Sequence, residues 1–166
     1  MTESLEKVLY VVVCAAGPAA EVGHLVASAQ DEGWIVQIVA TPSALDFIDV
    51  AELERRTGRP VRSSYRKPHE PKPPRADAII VAPATYNTVN KFALGIADTY
   101  ALGLLAEAPG LGIPVVVLPF VNPALAVRAP YLRSVAELRA DGVRVLAGPG
   151  EDEPFPWKSA LMELGR

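Results

Sequence analysis

The chain has 166 residues, enough for one domain with a real core and too few for a second of ordinary size. Hydrophobic residues make up 50% and charged residues 21%, the balance of a globular domain, and a net charge of -3 gives no electrostatic footing for nucleic acid or an anionic membrane. Cys14 is the only cysteine, which excludes an internal disulfide and suits a reducing cytoplasm.

Met1 to Lys7 is acidic and polar, and Val8–Ala16 is too short to span a bilayer, so neither a signal peptide nor an anchor is expected. Val8–Val13 is an unbroken, β-branched-rich run, as in a strand buried on both faces of a parallel sheet, and Cys14 beside it reads as a buried, inert thiol. Ala15-Ala16-Gly17-Pro18 makes a turn, followed by a helical pattern through Gln30 that Gly33 closes. Trp34–Ala40 is a second strand. Thr41 is a good N-cap with Pro42 at the first helical position, and Leu45, Ile48 and Leu53 give a second helix ending near Gly58.

Pro60, Pro68, Pro71, Pro73 and Pro74 mark residues 57–76 as an extended, proline-rich surface loop. Ala78–Val81 is the third strand. A long helix is predicted from about Thr85 to Glu107, on Val89, Phe92, Ile96, Leu102 and Leu105 at roughly helical spacing. Ile113–Leu118 is a fourth strand, Ala124–Ala140 a helix with Gly142 past its end, and Val143–Leu146 a final strand. The tail, residues 147–166, carries a short helix at Trp157–Leu164.

Strands alternating with helices predict one domain over residues 1–166, a three-layer α/β/α arrangement around a parallel sheet, Rossmann-like (flavodoxin-like) in type. Such sheets bind ligands outside the carboxyl ends of their strands, where helix N-termini collect. The site is therefore expected in four turns: Gly17 onward, Thr41–Ala44, Pro83–Thr88 and Pro119–Asn122. The three-glycine dinucleotide fingerprint and the Walker loop are both absent. Gly17 admits close backbone approach; Thr41 and Ser43 offer hydroxyls either to a phosphate or to their own helix. No metal site is expected. The densest cluster of amides and hydroxyls is Pro83-Ala84-Thr85-Tyr86-Asn87-Thr88, with Asn90 beyond it.

This segment, with Gly95-Ile96-Ala97-Asp98 on the helix after it, resembles the Pro-Ala-Ser-Ala-Asn-Thr and Gly-Ile-Ala-Asp motifs of the homo-oligomeric flavin-containing cysteine decarboxylases. Gly17-Pro18-Ala19-Ala20 resembles the family's first phosphate turn without its serine, and Thr41-Pro42-Ser43-Ala44 with Phe47 the second. His69 lies eight residues before Asp77, the spacing of the family's active-site histidine ahead of its Ala-Asp pair. Pro119-Phe120-Val121-Asn122 keeps the proline and asparagine of the Pro-Ala-Met-Asn substrate motif, and neither methionine nor the tryptophan that follows is present.

The resemblance implies FMN as cofactor, held by Gly17, Pro18, Ala19, Thr41, Ser43, Phe47, Ala84, Thr85, Asn87 and Thr88, with His69 as catalytic base and Asn122 on the substrate. It implies oxidative decarboxylation of a cysteine, in a peptide or a small-molecule conjugate, to an enethiol. With no cysteine after Cys14 and no synthetase domain after Arg166, the expected reaction stops there. A homo-oligomer, trimer or dodecamer, is implied too, and the apolar Val89–Leu105 stretch suits a protomer that buries surface on partners. The altered substrate motif keeps open a non-decarboxylating flavin-binding or regulatory subunit. A flavin prenyltransferase-like protein and a plain α/β binding module without flavin complete the alternatives.

Overall fold

The computed structural model describes residues 6–166; the polar lead-in Met1–Leu5 lies outside the described residues. Five strands, β1 (Val8–Val13), β2 (Ile35–Ala40), β3 (Ala78–Ala84), β4 (Val115–Pro119) and β5 (Arg144–Val145), form one parallel sheet in the order β2-β1-β3-β4-β5. This is a single α/β domain of the Rossmann-like, flavodoxin-like type. All six residues of β1 are buried because both faces of the sheet are covered.

The strand period of two sorts the core into two halves. Tyr10, Val12, Ile79, Val81, Val115 and Val117 point to one face, under α3 (Tyr86–Leu94), α4 (Tyr100–Glu107) and α6 (Ala129–Ala140). Leu9, Val11, Ile80, Ala82, Val116 and Leu118 point to the other, under α1 (Gly23–Asp31), α2 (Val50–Thr57) and the terminal α7 (Trp157–Leu164). Among the described residues no helix is long and apolar enough to cross a membrane.

Three predicted helices are interrupted. The stretch from Thr85 to Glu107 is two helices, because Gly95 at φ 74° takes the left-handed C-cap of α3 and the Ile96 N–H returns to the Lys91 carbonyl at 2.9 Å. Thr99 then restarts the chain, its hydroxyl accepting from the Leu102 N–H at 3.1 Å. An ion pair, Lys91 Nζ to Asp98 at 2.7 Å, spans the break. Likewise Ala124–Ala140 divides into the single turn α5 (Pro123–Ala126) and α6, each with a proline in its first turn. The second helix divides into a 3-10 turn, Pro42–Asp46, and α2, capped anew by Asp49. The last strand is two residues long rather than four.

The proline-rich segment crosses from the end of β2 to the start of β3 on the α4 side. The Tyr10 hydroxyl donates to the Pro74 carbonyl, and Arg75 Nη2 donates to the Leu111 carbonyl at 3.2 Å.

Candidate active site

The chain turns away from β1 in one direction, toward β2, and from β3 in the other, toward β4. A crevice therefore opens at their carboxyl ends. The four strand-end turns are knitted along this edge by main-chain bonds. The Thr41 N–H donates to the Val13 carbonyl at 3.0 Å, Cys14 to Pro83 at 3.1 Å, and Phe120 to Ala84 at 2.8 Å. One extra residue in β3 between Val81 and Ala84 bends its end against β4.

At the first turn the 3-10 helix Gly17–Glu21 has no side-chain cap, since Ala16 occupies the N-cap; Pro18 carries no N–H and the Ala19 N–H donates to the Ala16 carbonyl at 2.9 Å, which leaves the Gly17 N–H without an acceptor among the described residues. Gly17 is exposed, and a Cβ built on it meets nothing within 4 Å. Neither packing nor a positive φ explains this glycine; it leaves room above the turn. Pro18 is half-buried and the Ala19 side chain is fully in the core, so only their backbone can face a ligand.

Thr41 Oγ1 accepts from the Ala44 N–H at 3.3 Å, whereas Ser43 is exposed with no partner among the described residues. Phe47 is 45% exposed. Thr85 Oγ1 accepts from the Thr88 N–H at 3.2 Å and donates to the Thr88 hydroxyl at 3.1 Å. Ala84 and Thr88 are buried, so Thr88 forms the floor of the crevice and Asn87, exposed, stands at its rim. Asn90 points elsewhere: its Oδ1 accepts from Ser134 at 2.7 Å and ties α3 to α6. Beneath the floor, burial pushes the Cys14 thiol up, against the smaller opposing effect of its hydrogen bonding with Thr88 and Thr85.

The structure brings Asn122 to the same edge. Its Oδ1 caps α5 by accepting from the Leu125 N–H at 2.9 Å, which leaves the amide NH2 as its free face. Beside it lies a cavity of about 630 Å³, walled by Phe120, Val121, Tyr131, Val135 and Gly148, within the usual range for ligand sites. Sequence reasoning missed this wall. Tyr131 and Val135 are one turn apart on α6, and Tyr131 stacks on Tyr86 with centroids 5.9 Å apart. Gly148 lies so close to β4 that a Cβ there would be 2.8 Å from the Pro119 carbonyl oxygen.

His69 is not joined to this group within the chain. It is exposed on the proline-rich loop and forms no hydrogen bond with the turn residues. Asp77, the reference point for its spacing, has a structural job: its carboxylate accepts from the Val8 N–H at 2.8 Å at the start of β1. Among the described residues no group of three His, Cys, Asp or Glu side chains is placed to hold a metal.

An open parallel sheet with a polar crevice at its switch point defines an α/β protein of the ligand-binding, doubly wound class. The model of the flavoprotein family matches residues 1–161, and the chain belongs to that family, as the Pro83–Asp98 block implies. Its structural neighbours are FMN-dependent cysteine decarboxylases. The FMN-dependent cysteine decarboxylase SpaF superimposes with a TM-score of 0.76 at 25% identity, covering 98% of each chain. The peptidyl-cysteine decarboxylase EpiD in complex with the substrate peptide DSYTC shares the fold, with a TM-score of 0.73 at 20% identity over 94% of this chain and 88% of that one. The bifunctional coenzyme A biosynthesis protein CoaBC of Mycolicibacterium smegmatis is 31% identical over 121 residues, 70% of this chain and 28% of that protein. The chain thus spans less than a third of the length of the curated relatives it matches.

Proposed function

We propose that the protein binds FMN across the β1–β3 crevice and catalyses oxidative decarboxylation of a cysteine, at the C-terminus of a peptide or in a related conjugate, to an enethiol. The observation that carries this reading is the uncapped, side-chain-free turn at Gly17, knitted through Cys14 and Pro83 to the Thr85–Thr88 floor. The free Gly17 N–H suits a phosphate, and the Ser43 hydroxyl and Asn87 amide have no partner among the described residues at the same edge. These donors and the open space fit a flavin mononucleotide.

FMN, when bound, supplies the two-electron oxidation of the cysteine side chain. The chain's own residues do the rest. The NH2 of Asn122, aimed outward because its oxygen is held by the Leu125 N–H, donates to the substrate carboxylate. The apolar wall of Val121, Tyr131 and Val135 excludes water from the carbon that loses CO2. His69 accepts the proton released from the cysteine. Since His69 stands apart from the crevice of its own protomer, the reading goes with a homo-oligomer, a trimer or a dodecamer of trimers, in which it meets a neighbour's site. Leu94, Val127 and Leu132, 69%, 74% and 56% exposed, provide apolar surface for such packing. A reducing cytoplasm suits the free thiol of Cys14 and a thiol substrate.

The purified protein is expected to be yellow and, with peptides ending in cysteine, to produce a mass loss of CO2 plus two hydrogens that His69→Asn abolishes. Colourless protein that takes up no added FMN overturns the reading. The loss of both methionines and the tryptophan after Pro119 favours one second reading, a flavin-binding subunit without decarboxylase activity. FMN-loaded protein inert toward every cysteine-terminated compound is the result that reading requires.

A further inference from the structure

We propose that Arg66, with the contact between Tyr65 and Gly103, forms a positioning device that fixes the backbone of the turn from which His69 projects; this rests on the reading of His69 as proton acceptor. His69 is the third residue of the turn Lys67–Glu70, which the Glu70 N–H closes by donating to the Lys67 carbonyl at 2.9 Å. Pro68 and Pro71 flank the histidine and restrict the backbone on both sides. The Arg66 guanidinium folds back over this turn. Its Nη1 donates to the Glu70 carbonyl at 3.1 Å and lies 3.5 Å from the carbonyl oxygens of Lys67 and Pro68. Three of the turn's four carbonyl oxygens therefore face one cationic nitrogen, Nη1, and share its two N–H groups.

One residue earlier, Tyr65 seats the loop on α4. Its ring meets Tyr100 edge-on, with centroids 5.2 Å apart and planes at 75°. Its hydroxyl lies over Gly103, where a Cβ would come within 2.2 Å of it. Glycine is a poor residue for a helix interior; here its missing Cβ leaves the space taken by the hydroxyl of Tyr65, whose side chain is otherwise exposed. At the other end the loop is tied by Tyr10 to Pro74 and by Arg75 to Leu111. The His69 turn is thus the middle of a segment fixed at both ends and stiffened by Arg66. A proton acceptor requires this constancy, since transfer is effective only within hydrogen-bond reach.

The test combines kinetics of the FMN-loaded protein with NMR of the imidazoles, of which the chain has two, His24 and His69. His69→Asn assigns the His69 signal by its loss. Arg66→Ala and Gly103→Ala are expected to move that signal toward the free-imidazole position and leave His24 unchanged. They should lower kcat by about 10- to 100-fold with KM held, and Arg66→Lys, whose ammonium keeps the positive charge and donors on one nitrogen, should recover part of the loss. Gly103→Ala improves the helix propensity of α4, so unfolding does not explain its effect. An unmoved His69 signal in both variants overturns the proposal, as does full kcat in both when His69→Asn is inactive. If the signal moves in both variants but wild type and His69→Asn turn over equally, the positioning device stands and the role of His69 as proton acceptor falls.

Discussion

The Cys14 thiol donates to the Thr88 hydroxyl at 3.4 Å, joining the end of β1 to the helix that follows β3 directly beneath the crevice. Both residues are buried, and the Thr88 hydroxyl also receives the Thr85 hydroxyl, so one oxygen unites three elements. Thr88→Val keeps the shape and removes that oxygen, leaving two donors without a partner. A loss of about 1–3 kcal/mol in urea unfolding is expected. With the residue 1% exposed and its thiol pushed up by burial, Cys14 should resist alkylation at pH 8 until the protein unfolds.

Gly17 separates folding from cofactor binding. Since nothing lies within 4 Å of the position its Cβ would take, Gly17→Leu should leave the unfolding midpoint nearly unchanged, within about 0.5 kcal/mol. The same side chain fills the space above the phosphate turn. FMN affinity, read by quenching of flavin fluorescence, should fall by at least about tenfold, or roughly 1.4 kcal/mol. Unchanged affinity would remove this turn from the flavin site.

Asn122 caps α5 through its oxygen and, in the function proposed above, holds the substrate through its NH2, and two substitutions divide these roles. Asn122→Asp keeps an acceptor for the Leu125 N–H, so stability should be preserved, but it sets a negative charge against the substrate carboxylate and removes the donor. Asn122→Ala loses the cap as well, at about 1 kcal/mol. Decarboxylation should fall in both, and the aspartate variant should show the larger rise in KM.

The Tyr10 hydroxyl sets an alkaline limit. Burial, with a smaller contribution from Tyr100, pushes its pKa to about 12 from the usual 10.0. The folded state therefore holds this proton more tightly than the unfolded chain does. Its contribution to stability is complete below pH 10 and is lost as the pH rises from 10 to 12. Tyr100 and Tyr131 are raised by burial in the same sense. Denaturant midpoints measured across this window should decline, and Tyr10→Phe should flatten much of the slope while lowering the neutral-pH plateau by leaving the Pro74 carbonyl unpaired.

The parallel sheet was legible because β-branched runs such as Val8–Val13 and Val115–Leu118 are apolar on both faces, a pattern only a doubly covered strand requires. The break at Gly95 was not, because Ile96 and Leu102 continue the helical spacing of Val89 and Phe92 across it. The stop signal is local, a glycine followed four residues later by the threonine cap. At the site, the strand-end turns could be located from the alternation of elements alone. The cavity wall could not, since Tyr131 and Gly148 carry no polar motif and face one another only through the packing of α6 beside β5. The position of His69 eight residues before Asp77 says nothing about distance in space, for the intervening chain is held by Tyr10 at Pro74 and by Leu111 at Arg75 and, among the described residues, makes no hydrogen bond with the strand-end turns.

The edge that holds the four turns together is joined by peptide groups: Thr41 to Val13, Cys14 to Pro83, Phe120 to Ala84. Bonds of this kind do not depend on which side chains the turns display. Residues facing the ligand can therefore be exchanged one at a time without moving the turns relative to each other. The departures after Pro119 and the missing serine beside Gly17 illustrate such exchange. In a lineage built this way, the substrate end can diverge quickly while the nucleotide end stays in register, and new specificities can arise without refashioning the scaffold.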